Sequence, residues 1–205
     1  MTLKTLAFVL GAVIGIAGAT PGGARAADNV RVRGTVSKFD GSTLTVKTRE
    51  GDIDTIKLVA DWKVSGVAKA SLDDIKVGDF VGVASVSTAD GGDGALEVVI
   101  FPAALKGTGE GSHPWDLQPN SSMTNATVAD AVTGVDGRTV TLSYDGGQEK
   151  KISIPADTPI VTFAAASPAD LTPGAAVFVV AERGSDGTLT SGRIVVGNHG
   201  VAPPM

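Results

Sequence analysis

Val30-Arg-Val-Arg-Gly-Thr-Val36, then Asp40-Gly41, then Thr43-Leu-Thr-Val-Lys47 is the stretch whose reading decides the fold. Val30, Val32 and Val36 alternate with Arg31, Arg33 and Thr35. Leu44 and Val46 alternate with Thr43, Thr45 and Lys47. A period of two sends apolar side chains to one face of an extended chain, so both runs read as half-buried strands. Asp40-Gly41 lies between them, and Asp and Gly accept the backbone angles of a tight hairpin. Ile56 and Leu58, alternating with Thr55 and Lys57, add a third strand.

The pattern recurs. Displaced by 96 positions, Asp40-Gly41 falls on Asp136-Gly137, and Thr43-Leu44-Thr45-Val46 on Thr139-Val140-Thr141-Leu142. Ser71, Asp74 and Gly78 fall on Ser167, Asp170 and Gly174, and Asp90-Gly91 on Asp186-Gly187. So many matches at one displacement predict a duplicated module. Each copy holds one short helical turn, Ser71–Ile75 or Ser167–Leu171, in which the Ser caps and the following Asp reaches back. Strand, strand, strand, helical turn, strand, strand suits a small closed barrel, which has no exposed sheet edge. A β-sandwich is the alternative.

Val32-Arg33-Gly34-Thr35-Val36 through Val46, followed by Leu72 to Ile75-Lys76-Val77-Gly78-Asp79, resembles a family of exported bacterial domains of unknown function. The resemblance implies small OB-like barrels and brings no catalytic residues. The second copy departs from it, with Thr172-Pro173-Gly174-Ala175 where Lys-Val-Gly-Asp is favoured. The expected fold class is all-β: two tandem small OB-like or SH3-like barrels. The expected boundaries are 27–106 and 127–198 for the barrels, 107–126 for a connector and 199–205 for a flexible tail.

The N-terminus reads as an export signal over residues 1–26. Lys4 precedes an apolar run of about 14 residues, shorter than a bilayer-spanning helix. Pro21-Gly22-Gly23 and Ala24-Arg25-Ala26 then supply a small-residue exit with cleavage after Ala26. An uncleaved anchor is the competing reading. No later run is long enough to span a membrane, so the mature chain is expected to have no spanning segment and to be periplasmic or secreted. There are 0 Cys, which excludes a disulfide framework, a Cys-type zinc site and a thiol nucleophile. Loss of Lys4 and Arg25 takes the formal net charge from −5 to −7. An acidic chain with 4% aromatics is poorly suited to nucleic acid.

The connector Gly107–Ala126 is rich in Gly, Pro and Ser and is expected to be irregular. It also concentrates rare residues: His113, Trp115 and Met123. One reading makes Trp115 and Leu117 a plug between the barrels, with Asp116 capping a turn. The other is a metal site. Imidazole and thioether suit Cu(I), and Trp115 could face the ion. The trio is similar to the His, Trp and Met site of periplasmic copper-carrying OB barrels, although those use two Met and place the ligands on barrel strands. The only other Met of the mature chain is Met205, near His199.

Other signals point to structure. Asp90-Gly-Gly-Asp93-Gly94 lacks the ligands of a calcium loop and reads as a hairpin tip. Trp62 has no counterpart in the second copy, where Thr158 stands, and reads as core or rim. Asp61 and Asp157 recur and could serve an enzyme, but turn chemistry explains them. No nucleophile and base are recognisable, so the expectation is a non-enzymatic binding or scaffold protein of the cell envelope. Its partner would be a protein, peptide or glycan. The alternative is a copper or other metal carrier using the connector.

Overall fold

The computed structural model describes residues 28–134 and 137–203. The expected export signal, Asp136 of one hairpin, and Met205 lie outside the described residues. The described residues form twelve strands: β1 Asp28–Phe39, β2 Thr43–Thr48, β3 Ile53–Lys69, β4 Phe80–Thr88, β5 Gly92–Ile100 and β6 Gly111–Pro114; then β7 Ser122–Gly134, β8 Gly137–Tyr144, β9 Gln148–Pro155, β10 Ile160–Ala164, β11 Ala176–Arg183 and β12 Leu189–Gly197. The helical segments described are single 3-10 turns, so the fold is all-β as expected. No helix among the described residues is long and apolar enough to cross a membrane.

Turn chemistry follows the sequence closely. Gly41 has φ +97°, and Asp40 Oδ1 accepts from the N–H groups of Ser42 (3.0 Å) and Thr43 (2.8 Å). Asp90-Gly91 and Asp186-Gly187 turn β4 into β5 and β11 into β12, with Gly91 and Gly187 at φ +77° and +82°. The two 3-10 turns expected at Ser71 and Ser167 are alike. Asp74 Oδ2 accepts from the Ser71 N–H at 2.8 Å, and Asp170 Oδ2 from the Ser167 N–H at 2.7 Å.

The strand partners differ from expectation. β1 pairs with β2 and β2 with β3; β3 pairs in parallel with β12, β12 with β11, and β11 returns to β1. These five strands close a barrel. Its interior holds the alternating residues Val32, Val36, Leu44, Val46 and Ile56 with Val177, Val179, Leu189, Ile194 and Val196. A second ring runs from β4 to β7, β8, β9 and β5, and back to β4. Its β9–β5 contact is short, with only Asp93 opposite Ile152 and Gly94 opposite Ser153. The second core contains Val81, Val83, Val98, Ala126, Val140, Leu142, Ile152 and Ile154, each buried.

The boundaries 27–106 and 127–198 are therefore not the units that close. The first barrel takes three strands from the N-terminal part and two from the C-terminal part. The second is a continuous stretch, β4 to β9, lying between them. The reason is physical: alternation says which face of a strand is buried, but not which neighbour pairs with its edge. β10 joins the barrels, antiparallel to the end of β3 and parallel to β5. Val67, Val99 and Val161 are buried at this seam, with Phe101, Phe163, Val195 and Val201 packed against them.

Three smaller expectations are also settled. Trp62 packs on the first core, edge-on to Phe39 at 5.5 Å between ring centroids. The connector is not irregular throughout, because β6 forms in it and β7 begins in it. The tail at 199–203 is not loose. Val201 reaches the seam, Pro203 is buried, and the chain folds back so closely that a Cβ on Gly197 would lie 1.5 Å from the Val201 carbonyl oxygen.

Arg138 of β8 fixes the first helical turn to the second barrel. Its guanidinium donates to the carbonyls of Leu72 (2.6 Å) and Ile75 (2.8 Å) and pairs with Asp73 (3.2 Å). This topology predicts that a fragment spanning residues 70–165 folds alone with a cooperative urea transition. A fragment spanning 27–106 should give no such transition, since it holds strands of both barrels and completes neither. Circular dichroism during urea titration checks both outcomes.

Candidate functional site

The connector was the segment singled out for chemistry, and its backbone is well organised. After β5 the chain makes a 3-10 turn at Ala103–Leu105, then passes Gly107, Gly109 and Gly111, all at positive φ. β6 then runs antiparallel to the start of β7. The return loop is closed by the Trp115 N–H donating to the Ser121 carbonyl (2.8 Å). The buried Ser121 hydroxyl donates to the carbonyls of Trp115 (3.0 Å) and Gln118 (2.8 Å). These bonds hold Trp115 and Asp116 in one orientation.

That orientation is toward β1. The Arg31 guanidinium lies over the Trp115 ring, 4.2 Å from its centroid, and that of Arg33 is 5.6 Å away. Arg33 also lies 5.1 Å from the Phe178 ring of β11. Asp116 Oδ1 accepts from Arg33 Nη2 at 2.8 Å, and Asp116 Oδ2 is 3.6 Å from Arg31 Nη1. A loop attached to the second barrel is thus clipped onto the first by cation–π stacking and an ion-pair fork. Cation–π contacts contribute about 0.5–2 kcal/mol, rising with desolvation, and the Arg33 side chain is only 10% exposed. Partial burial of Asp116 works against its charge, but the Arg33 hydrogen bond and the charges of Arg33 and Arg31 outweigh it. The carboxyl is held below its usual value.

The three expected metal-binding residues are divided. His113 and Met123 are directly opposite each other across β6 and β7. Such pairs have Cβ atoms about 4.5–5.5 Å apart on the same face. His113 is exposed and Met123 is buried. The imidazole leans over Gly111, where an added Cβ would come within 3.1 Å of Nε2. Trp115 is turned to the two arginines, and its Nε1 is buried without a hydrogen-bond partner. Among the described residues no group of three or more His, Cys, Asp or Glu is arranged to hold a metal ion.

A second polar cluster escaped the sequence reading. Lys150 of β9 donates to Ser122 Oγ (2.9 Å) and Ser85 Oγ (3.3 Å) and lies 3.6 Å from Asp93 Oδ2. Ser85 is fully buried. A serine beside a lysine invites comparison with a nucleophile and base. Here both hydroxyls accept from the lysine nitrogen, and a carboxylate completes its surroundings as an ion pair. These contacts of Lys150 fasten four strands, β4, β5, β7 and β9. Asp61 and Asp157 are exposed, one on β3 and the other in the turn after β9.

Arg31 and Arg33 were the residues that sequence reasoning missed. Their signal was present as two cations at alternate positions on the face of β1 opposite its valines, with an aromatic–acidic pair, Trp115-Asp116, in the connector. No protein-family model, curated protein or solved structure matches the chain.

The clip predicts a small, pH-dependent contribution from Asp116. Its side chain is 46% exposed, so solvent screening limits Asp116→Asn to a loss of at most about 1 kcal/mol at neutral pH. A folded-state pKa below the unfolded value of about 3.9 gives stability that is fully present above that value. It disappears as pH falls through the lower folded value, so the wild-type and Asp116→Asn urea midpoints should converge in acid.

Proposed function

We propose that the chain is an exported, non-enzymatic binding or scaffold protein of the bacterial cell envelope, working in the periplasm or outside the cell. Its partner would be an envelope protein, peptide or glycan. The observation that carries this reading is the use made of the reactive-looking residues. Trp115 and Asp116 hold the barrels together, and Lys150 donates to Ser85 and Ser122 and is ion-paired with Asp93. What remains is a rigid two-barrel surface. The apolar N-terminal run with its Ala-Arg-Ala exit, and the lack of Cys, support export.

A duplicated OB-like module is part of the proposal. The elements recur at the 96-residue displacement read from the sequence: β4 at β11, β5 at β12, and the turn at Leu72–Asp74 on that at Pro168–Asp170. At the seam Val67 faces Phe163, which is its own counterpart. Equivalent residues meeting each other is the signature of a two-fold contact. Immobilised protein starting at residue 27 should capture a reproducible partner from envelope extract. Failure to retain any component above the bare matrix, across repeated extracts, would remove the binding reading.

The His113–Met123 pairing favours a second reading, a Cu(I) or other metal carrier. One nitrogen and one sulfur ligand, opposite each other on adjacent strands, suit a soft ion. A Trp62→Phe variant leaves Trp115 as the reporter tryptophan. Anaerobic Cu(I) titration should quench its emission, and His113→Ala with Met123→Leu should abolish the quenching. Unchanged emission, or quenching that survives the double substitution, rejects this reading.

A further inference from the structure

We propose that a groove on the first barrel, walled by Lys47, Arg49 and the C-terminal segment Ala202–Pro203, binds an extended acidic peptide with carboxylates at alternate residues. This deepens the binding-protein reading and rests on it. The groove encloses about 350 Å³, and Gly34, Ala176 and Val177 also line it. Gly34 leaves the floor bare, because β1 lies so close to β2 that a Cβ would be 2.1 Å from the Lys47 carbonyl oxygen.

Three observations converge on an anionic occupant. First, the walls carry two cations and no carboxylate. Three other grooves each contain a carboxylate: one sets Lys69 beside Asp73 and Asp157, another sets Arg193 beside Glu182, and a third contains Asp170. Second, neither Lys47 nor Arg49 takes part in any of the side-chain hydrogen bonds or ion pairs of the described residues, unlike Arg31, Arg33, Arg138 and Lys150. Third, the charge is particular to this barrel. At the 96-residue displacement, Gly34, Lys47 and Arg49 correspond to Asp130, Ser143 and Asp145. The strands of the first barrel, 28–69 with 176–197, hold ten Lys and Arg against eight Asp and Glu, whereas 70–175 hold five against fourteen. The positions that match between the halves serve turns and cores, whereas at these three the second copy has lost both cations and gained two carboxylates.

Spacing selects the kind of anion. Lys47, on β2, and Arg49, in the turn that follows it, both line the groove and are two residues apart, at most about 7 Å between Cα atoms. An extended peptide presents alternate side chains at that same interval. Because β1 and β3 already occupy both edges of β2, recognition is through side chains, with exposed Ala202 offering apolar contact beside the charges.

The test uses the chain from residue 27 and a fluorescein-labelled octapeptide alternating Glu and Val, followed by fluorescence anisotropy. Saturable binding is expected at low salt, weakened about tenfold at physiological ionic strength as exposed charges are screened. Lys47→Glu with Arg49→Glu should abolish binding while the melting curve is unchanged. Lys57→Glu with Lys63→Glu, the same charge change elsewhere on the barrel, should bind like wild type. A peptide with its four Glu in one block should bind several-fold more weakly. The inference is overturned by no saturable binding, by equal loss in both double variants, by equal affinity for the block peptide, or by oligogalacturonate displacing the peptide as the tighter ligand. If the peptide fails while the wild-type protein still captures an envelope component, the groove assignment falls and the binding reading stands.

Discussion

The parallel ladder between β3 and β12 is the contact on which the rest of the molecule depends. It brings Ile56 opposite Leu189 and Val64 opposite Ile194, joining strands separated by well over a hundred residues. Without it, one edge of β3 and one of β12 would present unpaired backbone N–H and C=O groups, a template for aggregation. With it, five strands close and the valines of β1 and β11 acquire an interior. Closing this ring carries both ends of the described chain into the same barrel and leaves the intervening strands to build the other.

Much of this was legible in the residues. Alternation located Leu44 and Val46 on a buried face, Asp40-Gly41 located a hairpin, and Ser71 with Asp74 located a helical turn. Each is a local property, set by side-chain direction or by a hydrogen bond spanning two or three residues. Pairing partners are not local. A barrel closed by β4 and β5 and one closed by β11 and β12 require the same apolar alternation in β1 to β3. The pattern is blind to that choice, and the expected boundaries failed for that reason.

The connector shows the same division. Its composition marks it as more than a tether, with Trp115 as a plug between the barrels. What it anchors to depended on which strand stood opposite. Arg31 and Arg33 read as an ordinary solvated face until β1 is placed against the loop. His113 and Met123, ten residues apart, meet because β6 and β7 form a hairpin that the Gly and Pro content had hidden. The half-buried Lys150 cluster was illegible for a related reason: Ser85, Asp93, Ser122 and Lys150 belong to four strands, and no spacing in the chain relates them.

The nested arrangement also sets an order of assembly. A chain made from its N-terminus releases β1, β2 and β3 first, yet their barrel is completed only when β11 and β12 have emerged. The intervening barrel is complete as soon as β9 is available. Between the completion of β9 and that of β12 the chain would therefore carry an early three-stranded sheet with two open edges beside a finished domain. Contacts between residues so distant in sequence form slowly, and open edges are the species most exposed to misassociation. A holding factor that shields strand edges would act on this early sheet, and its release would be timed by the arrival of β11 and β12.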